Sequence, residues 1–590
     1  MSHHRCRFLL AAALLFVVIE PSVQAQPPRN LPTKVPPKRS SQVQNGFGIN
    51  SDLPRDPYLP WNRWWWTRMF DAGVGWIRIG QYENSSDYTS WDWVEQKRGV
   101  FAVAPEVDDY VNSLIENGVK VQIQLMYGNP MYTGPGGNKP DQITPKPGSF
   151  HNDDRSIDSV FWAPNTPDQI AAFVRYVKWM VNHFRGRVQY YALWNEQDIG
   201  YWNPHDVPED YGRLLAAVAP AIHETDPQAK VIYGGQADPI SDWTKRSFET
   251  CNCASQIDIF AYHTYPGYGQ NMHPESMDSG AYGVDSPAKL REFVRTYPGI
   301  RKDIEFWDDE FNSIPSWKGS DESVQAKYVP RGMLYNHAAG VRTFVWLLAA
   351  GVDGNEYDDF GLIHGLRNLP DDFTPRPVFQ AVQNTNALFS DTHLDPEIKL
   401  TAAEIPEVLS QGRIPYLQYG FRNKNGKAIV AYWMAAHSVP GGAFPTRTVN
   451  LTVKNSGIPN PVLIDVVSGT IAPLAWKSGT TDVLETLPVR DSVMAIADAS
   501  YFDWPILPEA PSGLIAEASA SAISLRWDLH SDTTKVAVER RALSGTKWER
   551  IATLGRETRY TDPSAAPSAY RVRAINAAGE SAYSNVVRTR

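Results

Sequence analysis

Between Phe47 and Phe389, short runs of β-branched and aromatic residues alternate with longer stretches whose apolar positions recur at helical spacing. The short runs predict strands over 46–50, 76–80, 120–127, 188–194, 230–234, 257–262, 304–309 and 343–347. Helices are predicted between them over 105–117, 167–184, 208–225, 287–296 and 323–339. Several of these open on proline, which is tolerated in a first turn because its missing N–H has no intrahelical partner there. Eight strands with intervening helices over some 340 residues suit a closed (β/α)8 TIM barrel, placed at 45–390, better than an open doubly wound sheet. No Gly-rich strand-to-helix turn of the dinucleotide-binding type occurs.

After Leu394 the period changes to two. Runs over 416–422, 428–434, 448–453, 462–465 and 492–496, separated by Gly, Asn and Pro, predict a β-sandwich spanning 391–503. A Pro-rich stretch at 504–511 predicts a hinge. Beyond it, runs at 514–517, 524–527, 535–540, 548–554, 570–576 and 584–588 predict a small all-β module at 512–590. Trp527 on its second strand and Tyr570 opening a later one suit an immunoglobulin-like sandwich with a tyrosine corner. The Ala-Pro start at 510–511, the run Tyr570-Arg571-Val572-Arg573-Ala574-Ile575-Asn576 and the 579–584 segment resemble a fibronectin type III domain. That resemblance implies spacing or attachment, not chemistry.

The first 44 residues fit neither pattern. Arg5 and Arg7 precede an apolar run from Phe8 to Ile19, and Val23-Gln24-Ala25 offers a small-residue cleavage site. This predicts a signal peptide over 1–25 and export to the periplasm or the medium; a retained signal anchor is the alternative. Residues 26–44 carry five prolines and no apolar period, which predicts an extended linker. Elsewhere no long uncharged apolar run predicts a membrane span. The net charge of −9 lacks the basic footprint of a nucleic-acid binder. After cleavage only Cys251 and Cys253 remain, free to pair or to stay reduced, and no ligand-spaced His or Cys follows them to form a metal site. The 20 Trp residues fit large cores and sugar-stacking platforms alike.

In a parallel barrel, chemistry gathers where the strands end at their C-terminal face. The fourth predicted strand ends Tyr190-Tyr191-Ala192-Leu193-Trp194-Asn195-Glu196, which brings an acid to the rim beside an apolar wall. Such a wall raises a carboxyl pKa, so that Glu196 can stay protonated and donate to a leaving-group oxygen. Asn195 is suited to bonding a sugar 2-hydroxyl, and the bland alternative for Glu196 is a loop cap. The seventh strand ends Ile304-Glu305-Phe306-Trp307-Asp308-Asp309-Glu310-Phe311-Asn312. Strict alternation puts Asp308 and Glu310 on one face and Asp309 on the other. Glu310, last and nearest the rim, is the candidate nucleophile. Across the barrel mouth the two glutamates can face one glycosidic bond, the arrangement of retaining hydrolysis.

Trp194-Asn195-Glu196, Asp309-Glu310-Phe311-Asn312 and Tyr262-His263-Thr264-Tyr265-Pro266 resemble glycoside hydrolase clan A. The nearest pattern is family 39, which includes β-xylosidases and α-L-iduronidases. The resemblance covers 46–389 and implies retention, with Glu196 as acid/base and Glu310 as nucleophile. It also implies supporting roles for Arg78, Asn195, His263, Tyr265 and Trp346. Gln197 departs from the Pro that follows the acid/base in many clan members. By their own chemistry, Arg78 can hold a carboxylate ionised or form a structural ion pair, and Tyr265 can aim Glu310. His263 either touches substrate or is a satisfied core group. Trp346 is suited to stacking on a sugar ring, while for Trp202 packing within its loop is an equal alternative. The loops at 129–165 and 351–362 are long enough to wall the subsites. A carbohydrate is the implied partner, no cofactor or metal is implied, and oligomeric state, sugar, anomer and endo or exo action stay open. The rivals are a non-catalytic carbohydrate-binding barrel and an exported adhesion protein.

Overall fold

The computed structural model describes residues 31–50, 62–80, 88–145, 160–204, 207–266, 273–275, 287–317, 319–346, 348, 360–364, 374–403, 416–441, 447–530 and 532–589. The expected signal peptide, residues 26–30 of the expected linker, and much of the two wall loops (146–159 and 351–359) lie outside the described residues.

Eight parallel strands close into a barrel in sequence order: β1 (Gly48–Asn50), β2 (Trp76–Ile79), β3 (Lys120–Leu125), β4 (Tyr190–Leu193), β5 (Lys230–Gln236), β6 (Ile259–Thr264), β7 (Glu305–Phe311) and β8 (Val341–Val345), with β8 pairing back onto β1. The helices are α1 (Asn62–Asp71), α2 (Trp91–Val94), α3 (Pro105–Glu116), α4 (Pro167–His183), α5 (Pro208–Thr225), α6 (Asp242–Cys251), α7 (Pro287–Arg295), α8 (Glu322–Ala338) and α9 (Pro377–Phe389). The longer helices show their start signals. Thr166 caps α4 by accepting from the Gln169 amide, and the Gln169 side chain accepts from the Thr166 amide in return. Asp321 caps α8 by accepting from the Val324 amide at 2.8 Å. No helix among the described residues is long and apolar enough to cross a membrane.

The lower barrel interior is filled by Trp76, Ala192, Ile232, Ile259, Ala261, Trp307 and Phe344, with large and small side chains interleaved. Two residues beyond Trp76, Ala261 and Trp307 on β2, β6 and β7, toward the C-terminal face, the interior carries Arg78, His263 and Asp309.

Beyond the barrel, β9 (Thr392–Leu394), β10 (Lys399–Ala403), β11 (Tyr416–Asn423), β12 (Ala428–Met434), β13 (Arg447–Lys454), β14 (Pro461–Asp465), β15 (Ile471–Pro473), β16 (Val483–Val489) and β17 (Met494–Asp498) form two antiparallel sheets. Six strands run β15-β14-β17-β12-β11-β9 and three run β10-β13-β16, enclosing a core of Val430, Tyr432, Leu451, Leu484 and Ile496 among others. The last module is a second, smaller pair of sheets: β18 (Ser512–Ala518), β19 (Ile523–Asp528), β20 (Lys535–Ala542), β21 (Glu549–Leu554), β22 (Arg559–Asp562), β23 (Ser568–Asn576), β24 (Gly579–Tyr583) and β25 (Val587–Arg588). Trp527 and Tyr570 lie in its core, and the Tyr570 hydroxyl donates to Asp562 at 2.9 Å.

Two expectations of loose chain are corrected. From Leu31 on, the expected linker is packed. Val35 is buried and donates its amide to Gly469, Lys34 bonds the Ser468 carbonyl, and Arg39 is buried near Asp71. The Pro-rich hinge is pinned by that same segment. Gln42 donates to the Pro505 carbonyl, Trp504 to the Pro37 carbonyl and Arg39 to the Leu507 carbonyl. Two proline-rich segments, each lacking a period of its own, satisfy each other's backbone groups. Arg541 and Arg588 meet Asp109 on α3 at 2.6 and 2.7 Å, fastening the last module to the barrel.

Candidate active site

The polar upper layer of the barrel interior is built around Arg78. From β2 its Nη1 donates to Glu310 Oε2 at 3.0 Å, its Nη2 to Asn195 Oδ1 at 2.5 Å, and its Nε stands 3.2 Å from Asp309 Oδ2. Gln122 and Gln124, from β3, donate to Asp309 at 2.8 Å and to Asn195 at 3.2 Å. His263, from β6, lies between the two glutamates. Its Nδ1 is 2.8 Å from Glu196 Oε1 and 3.0 Å from Glu310 Oε2, while its Nε2 is 3.3 Å from Asp309 Oδ1. The Tyr265 hydroxyl donates to Glu310 Oε1 at 2.6 Å. Carboxylate oxygens of Glu196 and Glu310 and a nitrogen of His263 all lie within 4.8 Å of one another.

Local backbone geometry sets this convergence. Trp194 and Glu196 both adopt positive φ, at 66° and 42°, a conformation costly for residues with a Cβ and concentrated at functional sites. It turns the chain off β4 and projects Glu196 over the mouth, where its amide bonds the Gly235 carbonyl at 2.8 Å. Gly235 itself is required, because a Cβ there would fall 2.1 Å from His263 Nε2.

On β7 the expected alternation fails. Against β6, Tyr262 pairs with Asp308 and the next residue, His263, with Glu310, so Asp309 is an inserted residue. The bulge turns Asp309 and Glu310 both toward the barrel interior. Asp308 faces outward, accepting from Asn336 on α8 at 2.9 Å and from Thr264 at 2.5 Å. The sequence reading that paired Asp308 with Glu310 is thereby corrected, while Glu310 keeps its place at the mouth.

The two glutamates are driven apart electrostatically. Burial raises the Glu196 pKa, the nearby Glu310 charge adds to this, and His263 only partly opposes it. Burial also acts on Glu310, but the His263 and Arg78 charges and the Tyr265 hydroxyl outweigh it and hold its pKa well below the usual carboxylate range. His263 is pushed well above the imidazole range: burial opposes its charge, but Glu310, Asp309 and Glu196 together overcome that penalty. Asp309 is held low by Arg78 and His263 against burial. Burial raises the Asp308 pKa well above the usual carboxylate range, outweighing the Thr264 and Asn336 hydrogen bonds and the His263 charge. The result is a pair of carboxyls across a short gap pushed in opposite directions, Glu196 toward its protonated form and Glu310 toward its ionised form. The Glu196 side chain keeps 12% exposure and Glu310 only 4%.

All the expected site residues except Trp346 belong to one hydrogen-bonded network. Trp346 is buried against Phe360, its ring edge-on at 4.4 Å, and lies 6.1 Å from Tyr265 with Trp317 nearby. It walls the site behind Tyr265. Trp202 is buried between Trp194 and Tyr211, the packing alternative. Sequence reasoning missed Gln122 and Gln124, which look like ordinary strand residues until the barrel closes, and it turned Asp309 to the wrong face. It also missed Asp198, which accepts from the Ala237 and Asp238 amides at 3.2 and 2.7 Å and ties the loop carrying Glu196 to the loop after β5. Burial pushes the Asp198 carboxyl up to about 6. Its only sequence signal was an acid two residues past Glu196. Glu196, His263 and Glu310 have the donor types of a cation site, but the Arg78 guanidinium already occupies Glu310 Oε2 and stands 3.4 Å from His263 Nε2. That fixed positive charge opposes a divalent ion. Cys251 and Cys253 meet sulfur to sulfur after α6, away from this layer.

No family model matches the chain. Among curated proteins, it is 25% identical over 155 residues to an intracellular exo-alpha-(1->5)-L-arabinofuranosidase 1 of Bacillus subtilis (strain 168), which covers 25% of this chain and 30% of that protein. It is 24% identical over 140 residues to an exo-alpha-(1->6)-L-arabinofuranosidase of Bifidobacterium longum, covering 22% and 26%. The chain thus spans less than a third of the length of these curated relatives. Among solved structures, a family 39 glycoside hydrolase from the gut symbiont Bacteroides cellulosilyticus WH2 superposes with a TM-score of 0.55 at 18% identity, over 79% of this chain and 83% of that one. The fold is shared with that enzyme.

Proposed function

We propose that this chain is a retaining glycoside hydrolase that cleaves oligo- or polysaccharides by double displacement, with Glu310 as nucleophile and Glu196 as acid/base. The observation that carries this is the gap between the two carboxyls. Oxygens within 4.8 Å leave no room for the water that an inverting enzyme places between its carboxyl groups, which then stand about 6.5–9.5 Å apart. The opposed pKa directions supply the two protonation states the reaction requires.

In the first step a Glu310 oxygen forms a bond to the anomeric carbon as the bond to the leaving oxygen breaks, and Glu196 gives that oxygen its proton. In the second, Glu196, now a carboxylate, takes a proton from water. The hydroxide so formed displaces Glu310 from the anomeric carbon and restores the starting configuration. Arg78 and His263 keep Glu310 ionised before attack, and Tyr265 fixes its orientation. Asn195, held by Arg78 and Gln124, is placed to bond a sugar hydroxyl. Trp346 backs the wall. The basic, apolar and small-residue segments at the N-terminus support action after export, and we read the last module as fibronectin type III-like.

Glu310→Ala abolishes turnover on an aryl-glycoside panel that includes L-arabinofuranosides and xylosides. Azide partly restores it and yields the glycosyl azide of inverted configuration. Turnover by Glu310→Ala without azide overturns the nucleophile assignment. No turnover by the unaltered chain on any glycoside favours the carbohydrate-binding alternative.

A further inference from the structure

The opposite end of the barrel holds a second cavity, of about 550 Å³, within the range of small-molecule sites. Its wall runs from Asn45–Phe47 ahead of β1, along the first residues of β7 and β8, to Thr392–Leu394 on the first sandwich strand. It therefore straddles the seam between barrel and sandwich, far along the strands from the glutamates.

Arg342 lines this cavity. Its guanidinium stacks over Trp76 at 4.1 Å and lies 5.3 Å from Trp307. Lys120 Nζ stands 4.8 Å over the same Trp76 ring. Two cations thus share one indole, and each disfavours the charge on the other. Neither is neutralised. Arg342 makes one long bond, from Nη1 to the Gly46 carbonyl at 3.4 Å, and its buried Nε finds no acceptor. Lys120 donates to the Asn45 amide oxygen at 3.2 Å. Among the described residues no carboxylate forms an ion pair with either. Glu305, in the same wall, is engaged by Trp307 Nε1 at 2.9 Å and acts on both cations only through its field, as Asp391 does on Lys120.

A guanidinium has five donors in a planar fork that fits two oxygens of one acid group. Here most of that fork is unused beside an open space, with a second positive charge close by. We propose that this cavity is a second binding site, for a small oxyanion held by the Arg342 fork with Lys120 adding positive potential. The shared chemistry is a carboxylate or phosphate group, supplied by a sugar acid or by free inorganic phosphate. Glu305 limits the affinity through its negative charge. The site does not depend on the reaction proposed for the glutamates.

Isothermal titration of the full chain at pH 7, with ionic strength balanced by chloride, tests this using inorganic phosphate and, separately, gluconate. One saturable site per chain is expected for at least one probe. Arg342→Met weakens it about tenfold or more, the worth of a charge-assisted hydrogen-bond pair. Glu305→Gln, which keeps an acceptor for Trp307 and loses only the charge, tightens it several-fold. Should Arg342→Met fail to fold, Glu305→Gln carries the test by a gain. Saturation by phosphate alone identifies the free anion as the source, and by gluconate alone the sugar acid; both outcomes support the site. No saturable binding of either probe, or binding that Glu305→Gln does not tighten, overturns it.

Discussion

The barrel interior has two storeys made by the same strands. Trp76, Ala261 and Trp307 fill the lower one with apolar volume, and Arg78, His263 and Asp309, each two residues further along, fill the upper one with charge. Both are buried. The lower storey stabilises by removing apolar surface from water and by close contact. The upper storey places an arginine, a histidine and two acids out of water, and such groups repay desolvation only when each is paired and bonded. The hydrogen-bonded network meets that condition with little to spare: the Arg78 fork, the histidine and two glutamines serve Asp309, Asn195 and the glutamates. Burial that merely stabilises the lower storey is used in the upper one to set protonation states.

If the upper storey is the machinery, the largest effect belongs to Glu310. Glu310→Gln lowers kcat on the order of 10⁴-fold while leaving the circular dichroism and the denaturant midpoint close to the parent's. Next comes Glu196→Ala, which slows substrates with poor leaving groups by about 10²–10⁴-fold and spares the first step for good ones. Equal losses for both kinds of substrate would remove its acid role.

Removing a cation instead of an acid joins the two storeys. Arg78→Met leaves Asp309 and Glu310 buried without their partner, and unfolding free energy falls by about 3–5 kcal/mol along with activity. Trp307→Ala costs a similar ~3–5 kcal/mol through its cavity, yet any fraction that stays folded keeps the parent KM. A changed KM in Trp307→Ala would show that the storeys are not separable.

The smallest effect is on pH. The proposed mechanism requires Glu310 ionised and Glu196 protonated, and on it activity is lost as pH falls through the depressed Glu310 pKa and lost again as pH rises through the raised Glu196 pKa. His263→Asn removes the cation that lowers both. Both limbs of the kcat/KM profile therefore move upward, by about one pH unit. A profile that keeps its limbs would mean His263 carries no charge in the working enzyme.

Much of the fold was legible from hydrophobic period alone. The eight barrel strands fell within a few residues of their observed bounds because each is a short β-branched or aromatic run closed by a breaker. Strands β9, β10, β15, β16, β22 and β24 were missed; they are short or half-exposed, and their alternation is weak. Helices α1, α2, α6 and α9 were missed as well. The two proline-rich segments read as loose chain because nothing local shows that residues 37–42 will meet 504–507 across the fold. Glu196, Glu310, Arg78, Asn195, His263 and Tyr265 were legible as polar residues at strand ends, where a barrel gathers its loops.

By itself the sequence determined the eight barrel strands, their order along the chain, and which acids end β4 and β7, since period and breakers are local properties of the chain. Tertiary structure alone decided the rest. A one-residue bulge in β7, visible only against its β6 partner, brought Glu310 to the interior beside Asp309 and left Asp308 facing outward. Protonation tendencies were decided there too, because desolvation and charge at Glu196 and Glu310 depend on residues 45 to 232 positions away that only barrel closure brings within hydrogen-bond reach.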